Sequence, residues 1–225
     1  MKKPVSASSA DLAAAPRLSS APAGAKRAPA SSPKLPRAVD RIRESARELF
    51  YEHGIRAVGV DEIVNHAGVT KPSLYRSFPS KDELAADYLR GYDACFWDHF
   101  ETAVAAHPGD PRAQILAYLE GLGARSDRAG YRGCGLTNAA VEYPEPDHPA
   151  RRVAEDAKRA LRTRLLGLAE AMGARDPALL ADGLVLLIEG TFVSAQLFGP
   201  GGPCRRVAAA AAALIDACVA GGEGR

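Results

Sequence analysis

Cysteine is scarce in this chain. There are four in 225 residues, at positions 95, 134, 204 and 218, and no two form a CxxC pair. That spacing excludes a disulfide-dense secreted scaffold and provides no zinc motif, so reduced thiols in a cytoplasmic setting are expected. Uninterrupted apolar runs are short as well. The longest, Val207–Ile215, has nine residues and stops at Asp216, whereas a bilayer span takes about 20. Neither a transmembrane helix nor a membrane partner is expected. Period-two alternation is not sustained anywhere, so strands are not expected. GxSxG, HExxH, Walker A and GxGxxG are all missing, and with them the common signatures of hydrolase, metalloprotease, phosphate-loop and dinucleotide chemistry. An enzyme is therefore not expected, nor is a cofactor or a metal.

Charge is present but unevenly placed. Lys and Arg total 29 and Asp and Glu total 27, yet residues 1–40 carry +5, residues 41–80 carry +1 and residues 81–225 carry −4. A basic front suggests a polyanionic partner near the N-terminus. In residues 1–36, Ala, Ser and Pro account for 23 positions. Such a stretch cannot bury enough apolar surface to offset its ordering entropy, and it has no apolar h-region for a secretory signal. It reads as a disordered basic arm, either a solvated tail or a source of added phosphate contacts.

From residue 37 the pattern is helical. Val39, Ile42, Ala46, Leu49 and Phe50 share one helix face, and Gly54 stops that helix. A short helix over Val60–Ala67 follows, broken at Gly68. Thr70 is placed to cap a third, Lys71–Ser77, with Pro72 in its first turn. Ser80-Lys81-Asp82-Glu83 is a capping box opening a long helix that ends before Pro108. Helical segments continue over Pro111–Leu122, Gly135–Tyr143, His148–Met172, Pro177–Phe198 and Pro203–Val219. The expected fold is all-α.

Two short helices joined at Gly68-Val69-Thr70 make a helix-turn-helix. Thr70, Lys71, Ser73 and Arg76 are donors on the second helix, able to hold phosphates or read base edges. An ordinary three-helix packing unit with solvated charges would show the same pattern. The stretch from Gly54 to Leu84, with GVTKPSLYRSFPSKDEL at its centre, resembles the DNA-binding domain of the TetR family of bacterial transcriptional regulators. The resemblance is close over about residues 37–90 and loose beyond. It implies an all-α homodimer, with a three-helix DNA-binding domain (37–84) ahead of a helical effector-binding and dimerisation domain (85–221). By position it places Thr70, Lys71, Pro72, Ser73, Tyr75 and Arg76 on the recognition helix, and Lys81 on the family's phosphate-contacting lysine. The implied function is a ligand-responsive repressor on a pseudo-palindromic double-stranded DNA operator, with a small-molecule effector of unknown identity. Gly59 stands where many members carry Ser or Thr, which weakens that cap.

Pro177–Phe198 and Pro203–Val219 have too much apolar surface for one core. A two-fold pair of such helices forms a four-helix interface, with Leu184, Leu187, Ile188, Ala209 and Ala213 expected at the seam. For the effector pocket the candidates are Tyr92, Phe96, Tyr118 and Phe192 as apolar walls, with Cys134, Asn138 and Glu142, which recur every four residues, as a polar face. Asn138, Glu142 and His148 equally suit a structural network that fixes the Pro-rich bend. Cys134 also admits a redox- or electrophile-sensing reading, with Arg132 nearby to favour the thiolate. A further alternative casts Cys134, His148 and Glu142 as an enzyme's nucleophile, base and orienter.

Overall fold

The computed structural model describes residues 37–219; the arm inferred at 1–36 lies outside them. In chain order the helices are α1 (Ala38–His53), α2 (Val60–Ala67), α3 (Lys71–Ser77), α4 (Lys81–Ala105), α5 (Pro111–Ser126), α6 (Gly135–Glu142), α7 (Pro149–Ala171), α8 (Pro177–Phe198) and α9 (Val207–Val219). The last is preceded by a 3-10 turn, Pro203–Arg206, so the segment expected to begin as an α-helix at Pro203 begins more tightly wound. Among the described residues no strand occurs.

Each start has a local cause. Ser80 accepts from Glu83 N at 3.1 Å, as its capping box requires, and Asp110, His148 and Asp176 cap α5, α7 and α8, each with Pro at the helix entry. The α2–α3 turn is a Schellman motif. Gly68 sits at φ +60°, its N–H bonds Asn65 O, and the N–H of Val69 bonds Val64 O at 2.9 Å. Thr70 departs from expectation. Its side chain caps nothing; the hydroxyl turns to Ser73 Oγ at 3.3 Å, and only its carbonyl accepts from the helix.

One apolar core runs the length of the molecule. Ile42, Ala46, Leu49 and Phe50 of α1 meet Ile63 and Val64 of α2 and Leu74 of α3, and α4 continues that core through Leu84, Ala85 and Leu89. Farther along α4, Phe100 stacks among Phe96, Trp97 and Tyr118, with ring centroids 4.9 Å apart for Phe100 and Tyr118. The division expected after residue 84 therefore falls inside an unbroken helix. Surface ion pairs, Arg43–Asp87 between α1 and α4 and Arg162–Asp182 between α7 and α8, add orientation more than stability.

The helix α8 bears on two expectations. Among the described residues it is long and apolar enough, by length and composition, to cross a membrane, because only Asp182 and Glu189 interrupt its 22 residues with charge. Uninterrupted runs miss such a helix, and core helices of other proteins meet the same criterion. Its inward face is Leu180, Ala181, Leu184, Ile188 and Phe192, against α7 and α9. Leu184 and Ile188, expected at a subunit seam, are fully buried within this chain. The outward face is Leu179, Leu186, Val193, Leu197 and Phe198, with Leu187 half-buried and Ala209 and Ala213 exposed on α9. The reason is rotational: two residues along a helix is about half a turn, and the sequence of α8 is apolar on both sides.

Because Gly68 holds a left-handed conformation, Gly68→Ala is expected to cost about 1–2 kcal/mol. Urea unfolding followed by circular dichroism checks this; the midpoint falls while the m-value stays constant.

Candidate functional sites: a DNA-reading helix and an aromatic cavity

Leu74 alone among the residues of α3 is buried, at 0% exposure. It fastens the helix to α1 and α2 and leaves Thr70, Lys71, Pro72, Tyr75 and Arg76 outward, with Ser73 half-buried. Tyr75 stands half exposed. Ser73 Oγ accepts from the Arg76 guanidinium at 2.8 Å and so presets the arginine's direction. Lys71 pairs with Asp61 of α2 at 2.8 Å, and that contact holds its ammonium above the usual lysine range. The six recognition-helix residues singled out in the sequence therefore come together on one short exposed element.

Lys81 differs from the other six. Its ammonium donates to Ile55 O and Val58 O, each at 2.9 Å, and lies 3.4 Å from Arg56 O. It ties the α1–α2 loop to the start of α4 instead of projecting freely. A phosphate would have to compete with those carbonyls.

The second site is a cavity of about 310 Å³. Of the seven residues expected there, Tyr92, Phe96, Tyr118 and Phe192 line it, whereas Cys134, Asn138 and Glu142 do not. Asn138 donates to Arg132 O at 2.9 Å, closing the loop before α6. Glu142 accepts from Arg56 N at 2.8 Å and lies against Gly54, where a Cβ would meet its carboxylate at 2.9 Å. It is a tie between α6 and the α1–α2 loop. The period-four spacing correctly placed Asn138 and Glu142 on α6, with Cys134 just before its first residue, but that helix packs on α7 and α4 and none of the three lines the cavity. His148 stacks on Tyr143 with centroids 3.7 Å apart, accepts from Ala150 N through Nδ1, and approaches Asp82 of α4 with Nε2 at 3.5 Å. It fixes the bend, as the structural alternative held.

Sequence reasoning missed the cavity's polar groups: Arg43, Arg47 and Tyr51 from α1, Asp87, Cys95 and His99 from α4, and Arg125 and Arg128 at the end of α5 and just beyond it. They are far apart in the chain and follow no spacing rule. His99 Nδ1 bonds Cys95 O at 2.7 Å, so that nitrogen carries the proton. Burial pushes the Tyr88, Tyr118 and Tyr131 phenols well above their ordinary range, which keeps them as neutral O–H groups.

Cys134 is buried with Lys158 of α7. The ammonium lies 3.4 Å from Sγ and 2.6 Å from Glu189 of α8, and Thr137 donates to the other Glu189 oxygen. Burial pulls Lys158 down, but Cys134 and Glu189 outweigh it and hold the ammonium above its usual value. Arg132 is not the cation beside this thiol. Its backbone N–H donates to Tyr51 Oη.

Comparison with known proteins agrees with this architecture. Residues 42–88 match the family of bacterial regulatory proteins described as the tetR family. A TetR-family transcriptional regulator from Streptomyces coelicolor superposes with a TM-score of 0.72 at 28% identity, over 81% of this chain and 94% of that one. A putative TetR transcriptional regulator from Streptomyces avermitilis gives 0.67 at 30% identity, over 81% and 98%. The HTH-type transcriptional repressor KstR2 of Mycobacterium tuberculosis is 35% identical over 81 residues, 36% of this chain and 38% of that protein. The chain spans about half or less of the length of the curated relatives it matches, 52% of one and 38% of that repressor. A reading helix anchored by one leucine, an all-α body behind it and likeness across nearly the whole length of the Streptomyces avermitilis structure carry one conclusion: this chain belongs to the TetR family of helix-turn-helix transcriptional regulators and is not an enzyme.

Proposed function

We propose that the protein is a cytoplasmic, ligand-responsive repressor that binds a pseudo-palindromic operator as a homodimer. The observation that carries this is the exposure of α3, which hides Leu74 and presents Lys71, Ser73, Tyr75 and Arg76 together. Two copies related by a two-fold axis set two such helices into successive major grooves. The outward face of α8, with Leu186, Val193 and Leu197, together with Ala209 and Ala213 of α9, supplies the apolar surface for pairing. An effector in the aromatic cavity favours one spacing of the reading heads, by as much as its affinity differs between the two states. The ties that carry the change are α4 itself, the Glu142–Arg56 contact and the Arg132–Tyr51 contact.

A second reading is favoured by the Lys158 ammonium at 3.4 Å from the Cys134 sulfur. The contact places Cys134 to sense an oxidant or electrophile small enough to enter a site that is 1% exposed. Native alkylation followed by intact-protein mass spectrometry decides it: labelling of Cys134 that falls in Lys158→Met supports the reading, and no labelling of Cys134 ends it.

Two outcomes test the repressor reading, and a third tests the strap at Lys81. Lys71→Ala weakens operator binding and reduces the slope of log K against log salt by about one phosphate contact per subunit, with the melting temperature unchanged. Lys81→Ala costs about 1–3 kcal/mol of stability in chemical denaturation, because it frees the carbonyls of the 55–58 loop. Leu186→Glu gives a monomer in sedimentation velocity at micromolar concentration with helical content retained; a dimer as strong as wild type removes α8's outer face from the interface.

A further inference from the structure

Resting on the effector reading above, we infer that the cavity takes an organic anion with an apolar, ring-bearing body, its charged group held by Arg125 and Arg128 together with Arg47 of the DNA-reading unit. The lining residues carry four guanidiniums and a single carboxylate, Asp87. Asp87 is spent on Arg43, at 3.0 Å, and Arg47 pairs with Glu44 on its own helix. Arg125 has no carboxylate partner among the described residues and lies 5.9 Å from the centroid of the Tyr118 ring. Arg128, exposed at the rim, has none either. A surplus of guanidinium beside a low-dielectric aromatic wall repels cations and rewards a carboxylate or sulfonate, which guanidinium grips in a forked geometry.

The walls specify the rest of the ligand. Tyr92, Phe96, Tyr118 and Phe192 present ring faces and edges, which suit a flat or cyclic hydrocarbon body. Tyr88 lines the same cavity, is buried, and its hydroxyl has no hydrogen-bond partner among the described residues. An unpaired buried hydroxyl is costly. That hydroxyl lies toward Gly135 of α6, where an added Cβ would meet it at 2.8 Å, so Tyr88 contributes its ring to the cavity wall. The volume, at the small end of ligand pockets, fits a compact molecule and not a nucleotide-sized one.

The same geometry assigns a route of regulation. Arg47 and Tyr51 belong to α1, whose opposite face, through Ile42, Ala46 and Leu49, forms the core that supports α2 and α3. An anion gripped by Arg47 therefore acts on the reading unit directly, alongside any shift of α4.

A matched pair of probes tests this: 8-anilinonaphthalene-1-sulfonate, and N-phenyl-1-naphthylamine, which has the same rings without the sulfonate. Binding to the full chain is followed by fluorescence titration. The expected result is one sulfonate probe per subunit, bound about tenfold or more tightly than the neutral probe. Arg47→Gln and Arg125→Gln each reduce that preference several-fold while leaving the neutral probe's affinity unchanged, and thermal melts confirm the fold of both. Arg128→Gln, at an exposed position, gives a readout independent of core packing and is expected to lower the same preference. Equal binding of the two probes, or a preference unaltered in all three variants, overturns the anion inference and leaves the effector reading standing. Failure of both probes to bind overturns the inference and the cavity's role as an effector site together.

Discussion

The structure depends on one unbroken helix shared between two tasks. The first turns of α4 bury Leu84, Ala85 and Leu89 in the core that supports the reading helix. Its later turns bury Phe100 and present Tyr92 and Phe96 to the aromatic cavity. A helix transmits displacement along its axis with little loss, since each turn is hydrogen-bonded to the next. The cap at Ser80 fixes where that rod begins, and Lys81 straps the α1–α2 loop to the same point. Any change in the tilt of α4 is a change in where α3 sits.

Around that rod, polar contacts between the reading unit and the helical body behind it are few and specific. Glu142 reaches Arg56 N, Tyr51 reaches Arg132 N, and Arg43 reaches Asp87. Each joins a long-separated pair of segments, and each is partly solvated. Single contacts of this kind contribute little stability. They are suited to selecting between two arrangements that differ by a few kcal/mol, which is the range in which a bound effector works. The deep core cannot do that, because close-packed side chains do not yield by small amounts.

The proposed DNA reading relies on placement more than bulk charge. Residues 41–80 carry only +1, and Lys71 is partly offset by Asp61. In that proposal affinity comes from a few side chains held in register by Leu74 and by the Ser73–Arg76 contact, and doubled by symmetry in the dimer. The positive charge missing from the reading helix reappears inside the molecule, as guanidiniums around the cavity.

Local rules were sufficient for much of this. Helix α2, helix α3 and helix α8 have the bounds expected from glycine, proline and capping residues, because those signals act over a few bonds. The motif from Gly54 to Leu84 carried the family. Local rules failed where a side chain's surroundings come from distant segments. Thr70 had a neighbouring hydroxyl to bond and did not cap. Cys134, just before α6, and Asn138 and Glu142 on it did not line the cavity, and Lys81 found three carbonyls 23 to 26 residues away. Leu184 and Leu186 are both leucines on a helix apolar all round, and only the position of α7 and α9 determined that the first is core and the second surface. The sequence by itself determined the helices, their order and the reading element, since backbone geometry and periodicity are local. The tertiary structure alone decided which arginines meet around one cavity and which face of α8 is left exposed, since those depend on packing between residues far apart in the chain.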